Sequence, residues 1–466
     1  MSEEEIQLST SEKQVAKKYD LTNKFIPFLD RPLVYPLIEH LEFVYDQNET
    51  DQWEYDLLKE TYMIKFIKQK YSALNPQAKE YPVELLQKEK FVNEQLLKLD
   101  KETKKTLEIL SSKEVQQSLK QDKSYNIDFL AKQYQIDDAR IYQLYEFGKF
   151  QYNRGDYVMA SDLMSNFRLL SIKPELNLSA TWGKLSSDII TFNWVEALNE
   201  FNKLREIIDN RNFDGSTLDQ LNKRTWLIHF SLYIFFGLEN PISGNDEDND
   251  DEDGDSSATN NNNNSNKNKN NAGGLDSLID LFFSSSYMST IQASCPWILR
   301  YLAVAILYNP TNKRLKDLVR AINVESYEFR DPFTELFEVL LINFEFEKLA
   351  GVLNEIKVLT KSDFFISQLD TGKLLRNVQS LILTTLGKVN SALDLKTLKT
   401  YLSFESQSEL VEFLTEKKIK VENDLVVFEK PKSANVYFQI YEKTKAFNFK
   451  NNQNLNNAFN KQESEA

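Results

Sequence analysis

Cys295 is the only thiol in a chain of 466 residues, and His40 and His229 are its only imidazoles. A nucleophilic cysteine needs a neighbouring base to become a thiolate. The candidate base is His229, set in the apolar run Trp226-Leu227-Ile228-His229-Phe230. No third group that would orient it can be identified, and a lone histidine in an apolar helix reads more simply as a hydrogen-bonded core residue. The patterns H-E-x-x-H, C-x-x-C and G-x-S-x-G are absent. Twelve glycines occur, none before Gly148, and neither G-x-G-x-x-G nor G-x-x-x-x-G-K-[ST] is present. No loop can therefore bring a row of backbone N–H groups onto a phosphate in the usual way. We expect no catalytic residue, no cofactor and no metal, and read the chain as a non-enzyme.

The charge balance bounds the partners. Lys and Arg number 56 against 70 Asp and Glu, a formal charge of −14, which argues against a dedicated nucleic-acid binder. A single cysteine allows no intramolecular disulfide and fits a reducing compartment. The opening Met1-Ser2-Glu3-Glu4-Glu5 is acidic, unlike a secretory leader, and the longest apolar stretch, Trp226 to Leu238, is too short to span a bilayer. A cytoplasmic protein with no membrane partner is expected. Positive charge is local. It sits in the helix-like run Lys313 to Arg320, at Lys417, Lys418 and Lys420, and in six lysines from Lys430 to Lys461 against the single acid Glu442. Lysines at such places could contact RNA phosphates and release counterions. A solvated helix face is the simpler meaning.

The elements that would position these groups are mostly helices. No proline lies between Pro82 and Pro174, and Leu85, Val92, Leu96, Leu99, Thr103, Thr106 and Leu110 form one helical stripe. That stripe serves a coiled coil with a partner or an ordinary helix packed on its own domain. An internal repeat follows. Counting from Tyr157, Ala160, Leu163, Met164, Phe167 and Leu170 fall on one face. Counting from Trp194, Ala197, Phe201, Leu204 and Ile207 match, while Glu200 breaks the pattern at +6. Counting from Phe346, Leu349, Val352, Leu353, Ile356 and Leu359 match. Asp156, Asn193 and Glu345 precede the three aromatic anchors as caps or dipole partners. The first two copies, 37 residues apart, suggest stacked antiparallel helix pairs, each burying its anchor against the preceding helix. Any amphipathic helix shares such offsets; the common aromatic start favours a repeat. Eight acids between Asn245 and Asp255, then nine asparagines between Asn260 and Asn271, read as a disordered insert between apolar helices Trp226–Phe236 and Leu275–Phe283.

Near the end, Leu393, Leu398 and Leu402 fit a short helix. Ser406-Gln407-Ser408-Glu409 reads as a capping box opening another, with Leu410, Phe413 and Leu414 inward. Ile419-Lys420-Val421 and Leu425-Val426-Val427-Phe428 then read as two strands. Helix, helix, hairpin is the order of a winged helix.

Several blocks look familiar in this order. They are Tyr19-Asp20-Leu21-Thr22, Phe28-Leu29-Asp30-Arg31-Pro32-Leu33-Val34-Tyr35-Pro36-Leu37, Phe147-Gly148-Lys149-Phe150-Gln151-Tyr152, and Trp182-Gly183-Lys184-Leu185. Arg224-Thr225-Trp226-Leu227-Ile228-His229, Cys295-Pro296-Trp297-Ile298-Leu299-Arg300-Tyr301-Leu302, and Glu325-Ser326-Tyr327 with Asp331-Pro332 continue them. Together they resemble the PCI family, and within it the E-type subunits of eukaryotic translation initiation factor 3, over roughly residues 19 to 450. The resemblance implies a mainly α fold: a right-handed, TPR-like helical-repeat solenoid ending in a winged helix. The acidic start, the Asp/Asn-rich insert and the Lys/Asn-rich end depart from the family; we expect a disordered acidic start over 1–18, a helical region over 19–130, TPR-like repeats over 131–219, and a PCI domain over 220–429. Within the last, 220–389 is helical, 240–274 is the disordered insert and 390–429 the winged helix. A terminal helix and basic tail occupy 430–466. The resemblance further implies a non-catalytic scaffold in a hetero-oligomer, with other initiation factor 3 subunits of PCI and MPN type as partners. The small ribosomal subunit is a further partner, and mRNA and initiator tRNA are reached indirectly. By the same resemblance the strand Leu425, Val426, Val427 and Phe428 is an assembly edge, and Val436 and Ile440 lie in a helix shared with partners. The alternative is a PCI subunit of the proteasome lid or COP9 signalosome, since fold does not fix function.

Overall fold

The computed structural model describes residues 8–77, 80–118, 123–210, 213, 215–239, 274–309, 314–422, 424–428 and 444. The expected disordered insert, apart from its last residue, and the expected terminal helix with Val436 and Ile440 lie outside them. The chain divides into two compact units, residues 1–378 and 379–466. The divisions expected after residues 130 and 219 both fall inside the first unit, because neighbouring helices keep packing across them.

The first unit is helical throughout its described residues. Residues 1–7 of the expected disordered start lie outside the described residues, and the rest of it is ordered. Thr10–Lys18 is a helix opened by a capping box, with Ser9 bonded to the Glu12 N–H and the Glu12 carboxylate returned to the Ser9 N–H at 2.8 Å. Leu8 and Ala16 are buried against Leu41, Val44 and Val358. The Ser-x-x-Glu signal was present in an otherwise highly charged stretch. The long stripe forms the single helix Val83–Ser111, with Leu85, Val92, Thr103, Thr106 and Leu110 buried. It packs on the helix Asp138–Arg154 of its own unit. Thr103 and Thr106 are tolerated in the core; the Thr103 hydroxyl donates to the Leu99 carbonyl at 2.7 Å, so it is satisfied within its own turn.

From there each helix packs on the next: Asp138–Arg154, Tyr157–Leu170, Pro174–Ile190, Trp194–Asp209, Thr217–Glu239 and Gly274–Phe282. In Tyr157–Leu170 the five expected apolar residues are the buried ones. In Trp194–Asp209 the buried set is Ala197, Glu200, Phe201, Leu204 and Ile208; Ile207, expected inside, is 44% exposed. In the third copy a 3₁₀ turn, Phe346–Lys348, precedes the helix Leu349–Ser362, and Leu349, Val352, Leu353, Ile356 and Leu359 are buried.

The three copies share a corner that composition does not reveal. Two residues before each aromatic anchor the backbone turns left-handed: Gly155 at φ 92°, Phe192 at φ 58° and Phe344 at φ 58°. A left-handed residue lets the chain leave one helix and enter the next at once. Asp156 then caps its helix by accepting from the Met159 N–H at 3.3 Å, whereas Asn193 and Glu345 make no side-chain cap. The anchors are half-buried rather than buried. Trp194 lies against Gly237 of the following helix. A Cβ on Gly237 would stand 2.6 Å from the indole, so only glycine admits the ring there.

The helices Thr217–Glu239 and Gly274–Phe282 that flank the insert pack on one another. Their ends are tied: the Glu239 carboxylate accepts from the Leu275 N–H at 3.3 Å. Gly274, expected within the insert, is the first helical residue.

The second unit holds a three-stranded antiparallel sheet in the order β1-β3-β2, with β1 Ala392–Asp394, β2 Lys420–Glu422 and β3 Leu425–Val427. Helices Leu395–Leu402 and Gln407–Glu416 connect β1 to β2 and bury Leu395, Leu398, Leu402, Leu410, Phe413 and Leu414. Leu393, expected in the first of these helices, belongs to β1. Ser406 caps the second by accepting from the Ser408 N–H at 3.2 Å.

Candidate interaction surface

The groups that could have carried chemistry are used structurally. His229 is fully buried, and both ring nitrogens are committed: Nδ1 to the Thr225 carbonyl at 2.7 Å and Nε2 to the Trp297 indole N–H at 3.2 Å. The tautomer with the proton on Nδ1 satisfies both partners. Burial pulls its pKa down to about 4, so the ring is neutral, and Phe28 stacks on it at 4.7 Å. Cys295 is buried, and burial pushes its thiol up to about 12, the reverse of what a nucleophile needs.

Arg300 is the deepest charge. It is 1% exposed and forks between two carboxylates, Asp331 and, at 3.0 Å, Asp363, while Nη2 donates to the Tyr19 carbonyl at 2.6 Å. Burial alone would lower its pKa, but Asp331, Tyr301 and Asp363 outweigh it and keep the guanidinium charged. Both carboxylates are also helix N-caps, accepting from the N–H groups of Phe333 and Phe365 at 3.1 Å. Three blocks distant in sequence, around Tyr19, Arg300 and Asp331, therefore meet at one guanidinium. A further acidic group, Glu42, Asp51 and Glu54, has a metal-like spacing, but the Lys70 ammonium sits among them, 2.5 Å from Glu54 and 2.9 Å from Asp51.

The binding residues expected from sequence fall in the second unit. The expectation of β3 as an exposed edge is corrected: β3 is the central strand, hydrogen-bonded to β1 on one side and β2 on the other. Val426 is fully buried and Phe428 is 9% exposed, so these two serve the core; Val427 is half-buried and Leu425 is 45% exposed. The physical reason is β1, three residues that occupy the side of the hairpin a two-strand reading leaves open. Among the described residues, the sheet's margins are β1 and β2. Lys417, Lys418 and Lys420 are exposed beside β2, with Lys417 over the Phe413 ring at 5.7 Å. They line a cleft of about 420 Å³ with Lys388, Ser380, Thr384 and Phe428. Lys388 and the two hydroxyls come from the helix Thr371–Val389. Sequence reasoning missed them, because only the fold brings that helix beside the hairpin.

The described residues of the first unit are mainly helical, and the second unit adds one small three-stranded sheet. The comparisons give the chain a lineage. Residues 20–151 match the family model described as "eIF3 subunit 6 N terminal domain". A Yarrowia lipolytica protein, named as the E-type subunit of eukaryotic translation initiation factor 3, is 36% identical over 94% of this chain and 99% of its own length. Proteins of the same name from Schizosaccharomyces pombe and Aspergillus fumigatus are 35% and 32% identical, over 84% and 95% of this chain and 75% and 93% of theirs. The chain belongs to the family of E-type subunits of eukaryotic translation initiation factor 3. It is part of a multiprotein translation initiation factor. Among the described residues no single helix is long and apolar enough to cross a membrane.

Proposed function

We propose that this chain is a non-catalytic, cytoplasmic scaffold of initiation factor 3. It would join PCI- and MPN-type sister subunits and help the assembly bring initiator tRNA and mRNA to the small ribosomal subunit. The observation that carries the reading is the relationship to E-type subunits along nearly the whole chain. It is supported by a helical body whose buried charges tie helices together rather than face a substrate, and by a winged-helix-like order of elements at the C-terminal end.

The sheet topology refines how neighbours attach. With β3 central, the sheet's margins among the described residues are β2 and β1, and a sister subunit would pair along one of them. The lysines beside β2 give that margin a positive flank, a place for RNA phosphates. The reading is tested by purifying the tagged full-length chain and sedimenting it with ribosomal subunits. Co-sedimentation with sister subunits and the small ribosomal subunit is expected. Recovery of the chain alone overturns it.

A further inference from the structure

Phe192 combines two costs. It is 72% exposed, and it holds a left-handed backbone conformation that a bulky side chain adopts at an energetic penalty. Gly155, at the same corner of the preceding repeat, adopts that conformation without penalty. Folding alone would be served better by glycine at residue 192. Phe344 holds the same conformation at the corner of the third copy and is 52% exposed; what distinguishes Phe192 is the cleft it borders.

The surroundings say what the cleft is suited to hold. Phe192 meets the Trp194 ring edge to face at 5.7 Å. The two rings, with Leu33, Pro36, Tyr233 and Phe364, line a cleft of about 510 Å³ in the first unit. Val195, next to Trp194 in sequence, is 68% exposed. The described residues of this unit contain no strand to which an extended peptide could add. An incoming helix satisfies its own backbone and needs only apolar contacts. The charges close to the lining positions in sequence are mostly acidic. Asp30, Glu39, Asp188, Glu196, Glu239, Asp363 and Asp370 lie within three residues of them, against Arg31 and Lys361; Asp30, Asp188, Glu239 and Asp363 are engaged by Ser186, Lys184, the Leu275 N–H and Arg300, and Arg31 faces Glu60 at 3.7 Å.

We propose that the cleft beside Phe192 is a docking site for an amphipathic helical segment of a partner polypeptide, its apolar face flanked by lysine or arginine. The peptide and Tm measurements do not depend on the chain's place in the initiation factor and can fail independently of that reading, on which only the crosslinking measurement rests.

The test uses the full-length chain and two fluorescent peptides of about five helical turns. Both carry leucine and phenylalanine at i, i+3, i+4 and i+7; one has lysine flanks, the other glutamate flanks. Anisotropy is expected to show the lysine-flanked peptide bound about tenfold more tightly than its twin, and Phe192→Gly to weaken it about tenfold. The Tm of Phe192→Gly is expected to stay level or rise, because the strain is relieved. A benzoylphenylalanine crosslinker at Val195 in the assembled factor is expected to map to a basic-flanked apolar segment of another subunit. Equal binding of the two peptides, or no binding, overturns the proposal. So does wild-type affinity in Phe192→Gly, or a Tm that falls with the affinity. Crosslinks to RNA or to a second copy of this chain overturn it as well.

Discussion

Arg168 and Glu200 join two copies of the repeat through the helix between them. Nη2 of Arg168 donates to the Glu200 carboxylate at 2.8 Å and Nη1 makes a second bond to it, while Nη1 also donates to Thr181 on the intervening helix at 3.1 Å. Glu200 is the residue at which the apolar repeat fails. It is 1% exposed, and Lys203 adds a further contact at 2.9 Å. Burial pushes its carboxyl up, and Arg168 and Lys203 outweigh that and hold it below the usual carboxylate value. The interruption in the pattern is thus a fastener between helices.

Removing one side of that pair leaves a carboxylate buried with only Lys203 to answer it. Arg168→Met should cost about 3 kcal/mol, and the double variant Arg168→Met/Glu200→Leu should recover part of that loss. Urea unfolding of the two single variants and the double variant measures the coupling. Additive losses would show that the contact contributes nothing beyond packing.

Arg300 answers to two helix caps and to the N-terminal segment at once. Arg300→Lys supplies one point charge in place of a fork, so it cannot hold Asp331, Asp363 and the Tyr19 carbonyl together. Release of the segment around Tyr19 is expected, read as faster tryptic cleavage at Lys17 and Lys18 than in the wild type. An unchanged cleavage rate would count against the role assigned to Arg300.

His229 gives stability a pH dependence of known sign. Its folded pKa is about 4 against an ordinary value of 6.5, so below pH 6.5 the unfolded chain binds a proton that the folded chain refuses. Stability should fall as pH drops from 6.5 towards 4, by roughly 3 kcal/mol in all. His229→Gln should be less stable at neutral pH yet show a flatter decline. Circular-dichroism melts across that window compare the two slopes.

Cys295 should resist a thiol reagent at pH 8 in the native chain and react at once in denaturant, since its thiol is buried and pushed up to about 12. Labelling measured as a function of urea should follow the unfolding transition.

If the lysines beside β2 meet RNA, replacing Lys417, Lys418 and Lys420 with glutamine should weaken binding of the full-length chain to single-stranded RNA at low salt. The slope of log affinity against log salt should fall by about 2. A slope unchanged by the triple substitution removes RNA from the role of that cleft.

What was legible in the sequence follows from range. The helices at Val83–Ser111 and Tyr157–Leu170 were readable because a helical period repeats within the element itself. The hairpin was readable from its β-branched residues. The third strand was not: three residues cannot display an alternation, and Leu393 fell into the leucine spacing of the following helix. The edge expected for β3 by resemblance is therefore taken by β1 and β2. Ile207 and Ile208 differ by a single step of phase, which tertiary packing decides. Cys295 and His229 were visible at once, but the Trp297 and Thr225 partners that occupy the ring needed the fold. Arg300, quoted within a familiar block, gave no sign in sequence that two distant caps converge on it.

The tie between Glu239 and Leu275 has a practical meaning. Two helices that already meet can be joined by almost any length of chain, because each doubling of a flexible connection costs only about 0.6 kcal/mol. The chain carries there a ready splice point, where a reporter domain or an affinity handle can be grafted while the helices on either side keep their seats.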